Sequence, residues 1–296
     1  MSCSIRLAGY TGILNSMPTY MSNPNRERFM VRRCWPALIL LILFASAVGA
    51  QPPKRLLLLA QGPDGHMPTT HEYVPGLTIL KKCLAPVKGL DIQLVRADEP
   101  WATGPELIGR ADGVVLFLCE GGKWMNAEPK RLGALKALAA RGGGIVGLHW
   151  GIGAKDVKNV DSCLQLLGGC HGGPDRKYKI VETKFEVAES KHPIVHKIQS
   201  FTVKEEFYYQ LKLAKNGKLS PLVRAAIDGK DETVAWAWER PDAGRSFGFT
   251  GLHFHDNWGH ESYRRMVAQG VLWTLKLPIP EGGLPVAVTD EDLRLK

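Results

Sequence analysis

The sequence predicts an α/β fold, a doubly wound and mainly parallel sheet with an antiparallel β excursion in its second half. Three observations carry the prediction. Apolar strand-like runs alternate with helical spacing up to about residue 150, segments of alternating polarity follow up to about residue 240, and a glycine-rich apolar run, Arg141 to Ala154, joins the two regimes.

Arg55 to Ala60 reads as a buried strand ending in the loop Gln61 to Thr70, with a helix over His71–Ala85 behind it. Asp91–Arg96 and Gly113–Leu118 read as the second and third strands. Asn126 is placed to cap a helix reaching Ala140, because Leu132, Leu135 and Leu138 follow at helical spacing. In the run RGGGIVGLHWGIGA, Ile145, Val146 and Leu148 suit a parallel strand, so Gly147 to Gly151 predicts a strand-to-helix elbow that lifts His149 above the sheet. Hydrolases put Ser or Cys at such an elbow, whereas an imidazole serves as acid, base, metal ligand or polar anchor.

Tyr178–Ala188, Phe201–Leu213, Leu222–Asp228 and Thr233–Glu239 alternate in polarity, as antiparallel strands do. Ser246–Phe254 returns to the parallel core, a helix follows over His260–Leu275, and residues 278–296 read as a C-terminal surface tail.

Residues 1–50 read as a targeting segment. Arg28, Arg32 and Arg33 precede the apolar run from Trp35 to Ala45, and Val48-Gly49-Ala50 supplies small residues for cleavage. The run is short for a membrane span, so the expectation is a signal peptide, no stable span after processing, and a periplasmic or secreted protein. Met30 offers a later start that would shorten the leader.

The 296 residues carry a formal charge of +9. Residues 1–50 hold five Arg and one Glu, leaving 33 basic against 28 acidic side chains and a charge of +5. That excess is scattered, with no basic stripe, which argues against a nucleic-acid partner. Cys83, Cys119, Cys163 and Cys170 remain, with no CxxC; export would permit a Cys163 to Cys170 disulfide.

Three motifs in order resemble the ThuA-like (trehalose utilisation) family. They are Gly142 to His149, then His192-Pro193-Ile194 with Phe201 to Tyr209, then Gly244-Arg245 leading to Gly251-Leu252-His253; Gly270 to Trp273 fits the family's last helix. The resemblance covers about residues 54–277. It implies the flavodoxin-like fold of the class I glutamine amidotransferase-like superfamily. Amidotransferases of that fold carry Cys in the elbow, and His149 in its place implies no glutaminase activity. The resemblance implies a tie to sugar catabolism but names no reaction.

Ligands of open parallel sheets bind at the carboxyl ends of the strands. His66, His71, Glu120, His149 and His253 all follow such ends. His149 and His253 are candidate bases and Glu206 a candidate acid or ligand; His66, His71, Glu120, Trp124, Trp150, His255 and Trp258 are candidate ligand-binding residues. Imidazoles with a carboxylate suit a divalent metal such as zinc, so His66, His71, His149, His253 and Glu206 are its candidate holders. His171, His192, His196 and His260 read as structural. Aromatic faces beside hydrogen-bonding groups suit a small-molecule sugar. Two function classes remain at this level. One is a sugar hydrolase or lyase/isomerase using His/Glu acid-base chemistry, and the other a non-catalytic sugar-binding or scaffold domain.

Overall fold

Leu56 to Ala60 form a strand buried on both faces, as an interior strand of a parallel sheet covered on both sides is. The computed structural model describes residues 52–188 and 191–295, so the leader expected over residues 1–50 lies outside the described residues. In chain order the first half runs β1 (Lys54–Ala60), α1 (Tyr73–Leu84), β2 (Leu90–Arg96), α2 (Gly104–Arg110), β3 (Gly113–Phe117), α3 (Gly121–Asn126), α4 (Pro129–Ala140) and β4 (Gly144–Leu148). A 3-10 turn, His149–Ile152, leads to β5 (Gly153–Ala154), α5 (Val160–Leu167) and β6 (Gly169–Gly172). The excursion comprises β7 (Lys177–Val187), β8 (Phe201–Tyr209), β9 (Lys212–Leu213), β10 (Lys218–Ile227) and β11 (Lys230–Glu239). β12 (Arg245–Phe249), α6 (Glu261–Thr274) and α7 (Asp290–Leu293) close the chain.

The main sheet has nine strands in the order β2-β1-β3-β4-β12-β11-β10-β7-β8. The first five are mutually parallel, and every pairing from β12 outward is antiparallel. With β12 as fifth parallel strand this is the 2-1-3-4-5 order of the flavodoxin-like class. Alternate residues feed two cores. Leu58, Val115, Val146 and Phe247 face α1 and α6, while Leu57, Leu116 and Ile145 face α4 and α5. The sheet is therefore doubly wound, as the sequence predicts.

Four local expectations are corrected. Asn126 ends α3, its Nδ2 donating to the Gly122 carbonyl at 2.7 Å, and caps nothing. Pro129 instead forces extended backbone on Glu128, whose carboxylate accepts from the Lys130 and Arg131 amides and so starts α4. The elbow leads into a 3-10 turn, not an α-helix; α5 begins only at Val160. The tail after Leu277 is only partly a surface segment. Leu284 and Val286 are buried, each burial contributing about 1.5–3 kcal/mol, and they dock that segment on the core. Finally, the four cysteines among the described residues are free thiols, and hydrogen bonding to Cys170, then burial, raises the Cys163 pKa.

Candidate active site

β4 delivers His149 with φ of +45°, a left-handed turn that swings the imidazole over the strand ends. Two residues on, a Cβ on Gly151 would stand 2.2 Å from the Leu116 carbonyl oxygen, so only glycine lets the elbow pack against β3. The loop after β1 is tied to the loop after β12. The His71 amide donates to the His253 carbonyl at 3.0 Å and the His255 amide to the Thr69 carbonyl at 2.8 Å, which brings His71 and His253 together. β8 adds Glu206 and Tyr208 from the antiparallel arm.

Three ring nitrogens converge. His71 Nε2 lies 3.1 Å from His253 Nδ1 and 3.1 Å from His149 Nε2, and the latter pair is closed by 3.3 Å between His149 Nε2 and His253 Nδ1. Glu206 Oε1 stands 3.5 Å from His253 Nδ1 and 3.9 Å from His149 Nε2. All four ligand atoms fall within 4.8 Å of one another. Tetrahedral coordination with bonds of about 2.0–2.1 Å spaces ligand atoms roughly 3.3–3.4 Å apart, and the imidazole triangle matches that spacing.

The outward nitrogens fix the tautomers. His149 Nδ1 lies 2.7 Å from the Thr250 carbonyl oxygen, which can only accept, so Nδ1 carries the proton and Nε2 presents a lone pair. His71 Nδ1 lies 2.9 Å from Asp64 Oδ2, which orients the ring so that Nε2 points into the cluster. Burial alone would raise Asp64, but hydrogen bonds from His71, Tyr73 and His66 outweigh it and hold the carboxyl well below its usual range. The 3.1 Å contact of His71 Nε2 with His149 Nε2 therefore calls for a proton or a metal cation between them.

Electrostatics keep His149 and His253 neutral and ready to coordinate. Burial, then the charges of His71 and His253, depresses His149 strongly. Burial, then His71 and His66, takes His253 down to about 4. Burial pushes Glu206 up to about 7. Glu205, fully buried, is also raised to about 7 by burial, against hydrogen bonds from Asn257 and from backbone amides. Its oxygens accept from the amides of Leu252, His253 and Glu206 and from Asn257 Nδ2, so it clamps the loop that carries His253.

A cavity of about 420 Å³ opens beside the cluster. His66, His71, Glu206 and Tyr208 form the cluster side, and Trp150, Lys155, His171, Arg176 and Tyr178 the other walls. Tyr208 is sandwiched, with His149 at 4.5 Å between ring centroids and His171 at 3.9 Å, and its hydroxyl reaches His149 Nε2 at 3.0 Å.

Of the sequence candidates, His71, His149, His253 and Glu206 therefore meet, His66 stacks on His71 at 3.7 Å, and Trp150 lines the cavity. The others stand elsewhere. Glu120 accepts from the Lys155 amide at 2.8 Å and shapes that loop. Trp124 donates to the Ala97 carbonyl beneath the Arg131 guanidinium, His255 binds the Leu293 carbonyl through Nε2, and Trp258 is core, packed on Phe117. His171, read as structural, instead lines the cavity; Asp64, Tyr208, Lys155 and Arg176 were not candidates. Asp64 had a signal in its place on the loop that carries His66 and His71, and Tyr208 in its spacing of two from Glu206 on one strand face.

Among the described residues no helix is long and apolar enough to cross a membrane. No curated protein sequence matches the chain. A putative ThuA-like protein from Bacteroides uniformis has a similar structure, at 15% identity and a TM-score of 0.58, covering 77% of this chain and 94% of that one. A second, from Parabacteroides merdae, does so at 14% identity and 0.59, covering 82% and 100%. The glutaminase domain of Trypanosoma brucei CTPS aligns at 12% identity and a TM-score of 0.42, covering 82% and 100%. The trehalose utilisation family model matches residues 65–274, and with the elbow, the β8 motif and the returning His253 strand all inside that span, the chain belongs to the ThuA family.

Proposed function

We propose that this ThuA-family protein is an exported, metal-dependent carbohydrate-processing enzyme in which His71, His149, His253 and Glu206 hold a divalent cation such as zinc. The single observation that carries the reading is the convergence of His71 Nε2, His149 Nε2 and His253 Nδ1, each 3.1 or 3.3 Å from the next, beside the Glu206 carboxylate. A bound cation would supply Lewis-acid polarisation of a sugar carbonyl or hydroxyl oxygen. Tyr208 holds a proton at its hydroxyl beside His149, His66 edges the same space, and Trp150 with Tyr208 offers aromatic faces for a sugar ring. The cavity volume lies within the about 300–1,000 Å³ of small-molecule sites. Hydrolysis and lyase- or isomerase-type proton abstraction both fit this donor set. Glutaminase chemistry does not, because the elbow has an imidazole where a thioester needs a thiol. The basic edge and short apolar run within residues 1–50 support export.

The test is metal analysis of the purified full chain together with turnover of a panel of glycosides and oxidised sugars. One equivalent of a divalent metal is expected, lost together with turnover in His149→Ala and in His71→Ala. A folded wild-type protein that takes up no divalent metal would refute the reading, and a metal-loaded protein that binds sugars without turnover would make it a binding domain.

A further inference from the structure

The cavity wall opposite the metal cluster carries charge that the proposed chemistry leaves unused. Lys155, exposed on the loop after β5, holds its Nζ 6.0 Å above the Trp150 ring. Arg176, just before β7, donates from Nη1 to the Gly173 carbonyl at 3.1 Å. Among the described residues neither cation lies within 4.0 Å of a carboxylate, whereas the neighbouring Lys212 is paired with Asp175 at 2.7 Å. The Glu120 carboxylate spends Oε1 on the Lys155 backbone amide. The cavity lining thus offers two cations against one carboxylate, Glu206, and Glu206 belongs to the metal cluster. A cation held there leaves the cavity strongly positive, and a neutral sugar would not compensate it.

We infer that the substrate is an anionic saccharide whose ring lies on Trp150 and whose carboxylate or phosphate is held by Lys155 and Arg176. The inference rests on the proposed sugar-processing reading and names its substrate class. Arg176 supplies a planar fork for two acceptor oxygens and Lys155 a mobile point charge. The aromatic face below Lys155 receives the C–H side of the ring, so anion and ring are gripped together.

Calorimetry on the metal-loaded full chain tests this with D-glucuronate as the carboxylate arm, D-glucose 6-phosphate as the phosphate arm and D-glucose as the neutral reference. At least one anionic sugar is expected to bind about tenfold or more tighter than glucose, as hydrogen bonds to charged groups allow. The double variant Lys155→Met/Arg176→Gln should abolish that preference with metal content and thermal midpoint unchanged. Equal binding of all three sugars, or no binding of either anion, overturns the inference. A preference that survives the double variant and vanishes on chelation belongs to the metal and also overturns it. A preference that survives chelation but not the double variant upholds the anion subsite even where the protein proves to need no metal, so the two readings fail separately.

Discussion

His71 Nε2 and His149 Nε2 face each other at 3.1 Å, while the far nitrogen of each ring is committed to an oxygen, Asp64 Oδ2 at 2.9 Å and the Thr250 carbonyl at 2.7 Å. Neither acceptor belongs to the cluster itself, yet the two decide which ring nitrogens point inward. One acceptor is a side chain and can be changed.

Asp64→Asn keeps the shape but removes the charge that makes the His71 ring a stronger donor. Metal affinity should fall about 10–100-fold, the range for losing a carboxylate behind a ligating imidazole. Competition against a chromophoric chelator measures it. Unchanged affinity would mean that His71 is oriented by its backbone alone.

Glu205 is the residue whose loss should cost most in stability outside the hydrophobic core. It is fully buried, and its oxygens serve the Leu252, His253 and Glu206 amides and Asn257 Nδ2. Glu205→Ala leaves those donors dry, and a loss of about 3 kcal/mol or more is expected by urea unfolding. Glu205→Gln, which retains one acceptor oxygen, should lose less. Equal stability of all three proteins would remove Glu205 from the account.

His171 should produce a signature in acid. Burial first, then the charges of Arg176 and Lys212, lowers its pKa to about 3, while Tyr208 stacks on its ring and Tyr178 meets it edge to face. Unfolded, the ring takes its proton near 6.5. A depressed pKa means that its contribution is fully present above about pH 6.5 and lost as pH falls toward about 3. The limiting slope for one proton is about 1.4 kcal/mol per pH unit. His171→Phe should therefore unfold with a shallower pH dependence in that window than the wild type. Identical slopes would show that the ring titrates normally in the folded protein.

Much of the architecture is legible in the sequence because parallel strands must be apolar on both faces, and Leu56 to Ala60, Gly113 to Phe117 and Ile145 to Leu148 have no other comfortable place. The start of α4 is misread because Asn126 is a good cap by type, whereas Pro129 decides the matter through the backbone of Glu128. The strand-end rule brings His71, His149 and His253 together but says nothing of which neighbours turn inward. Trp124, His255 and Trp258 follow strand ends just as closely and pack into the protein. His171 and Arg176 reach the cavity from β6 and the turn before β7, outside the parallel core, where no sequence period points at a common edge.

The central claim is a cation among His71, His149, His253 and Glu206. Anomalous diffraction at the zinc edge, from crystals of the full chain grown with zinc, tests it most directly. The account predicts one anomalous peak about 2.0–2.1 Å from each of His71 Nε2, His149 Nε2 and His253 Nδ1. Ordered imidazoles at their present spacing with no peak between them would contradict it.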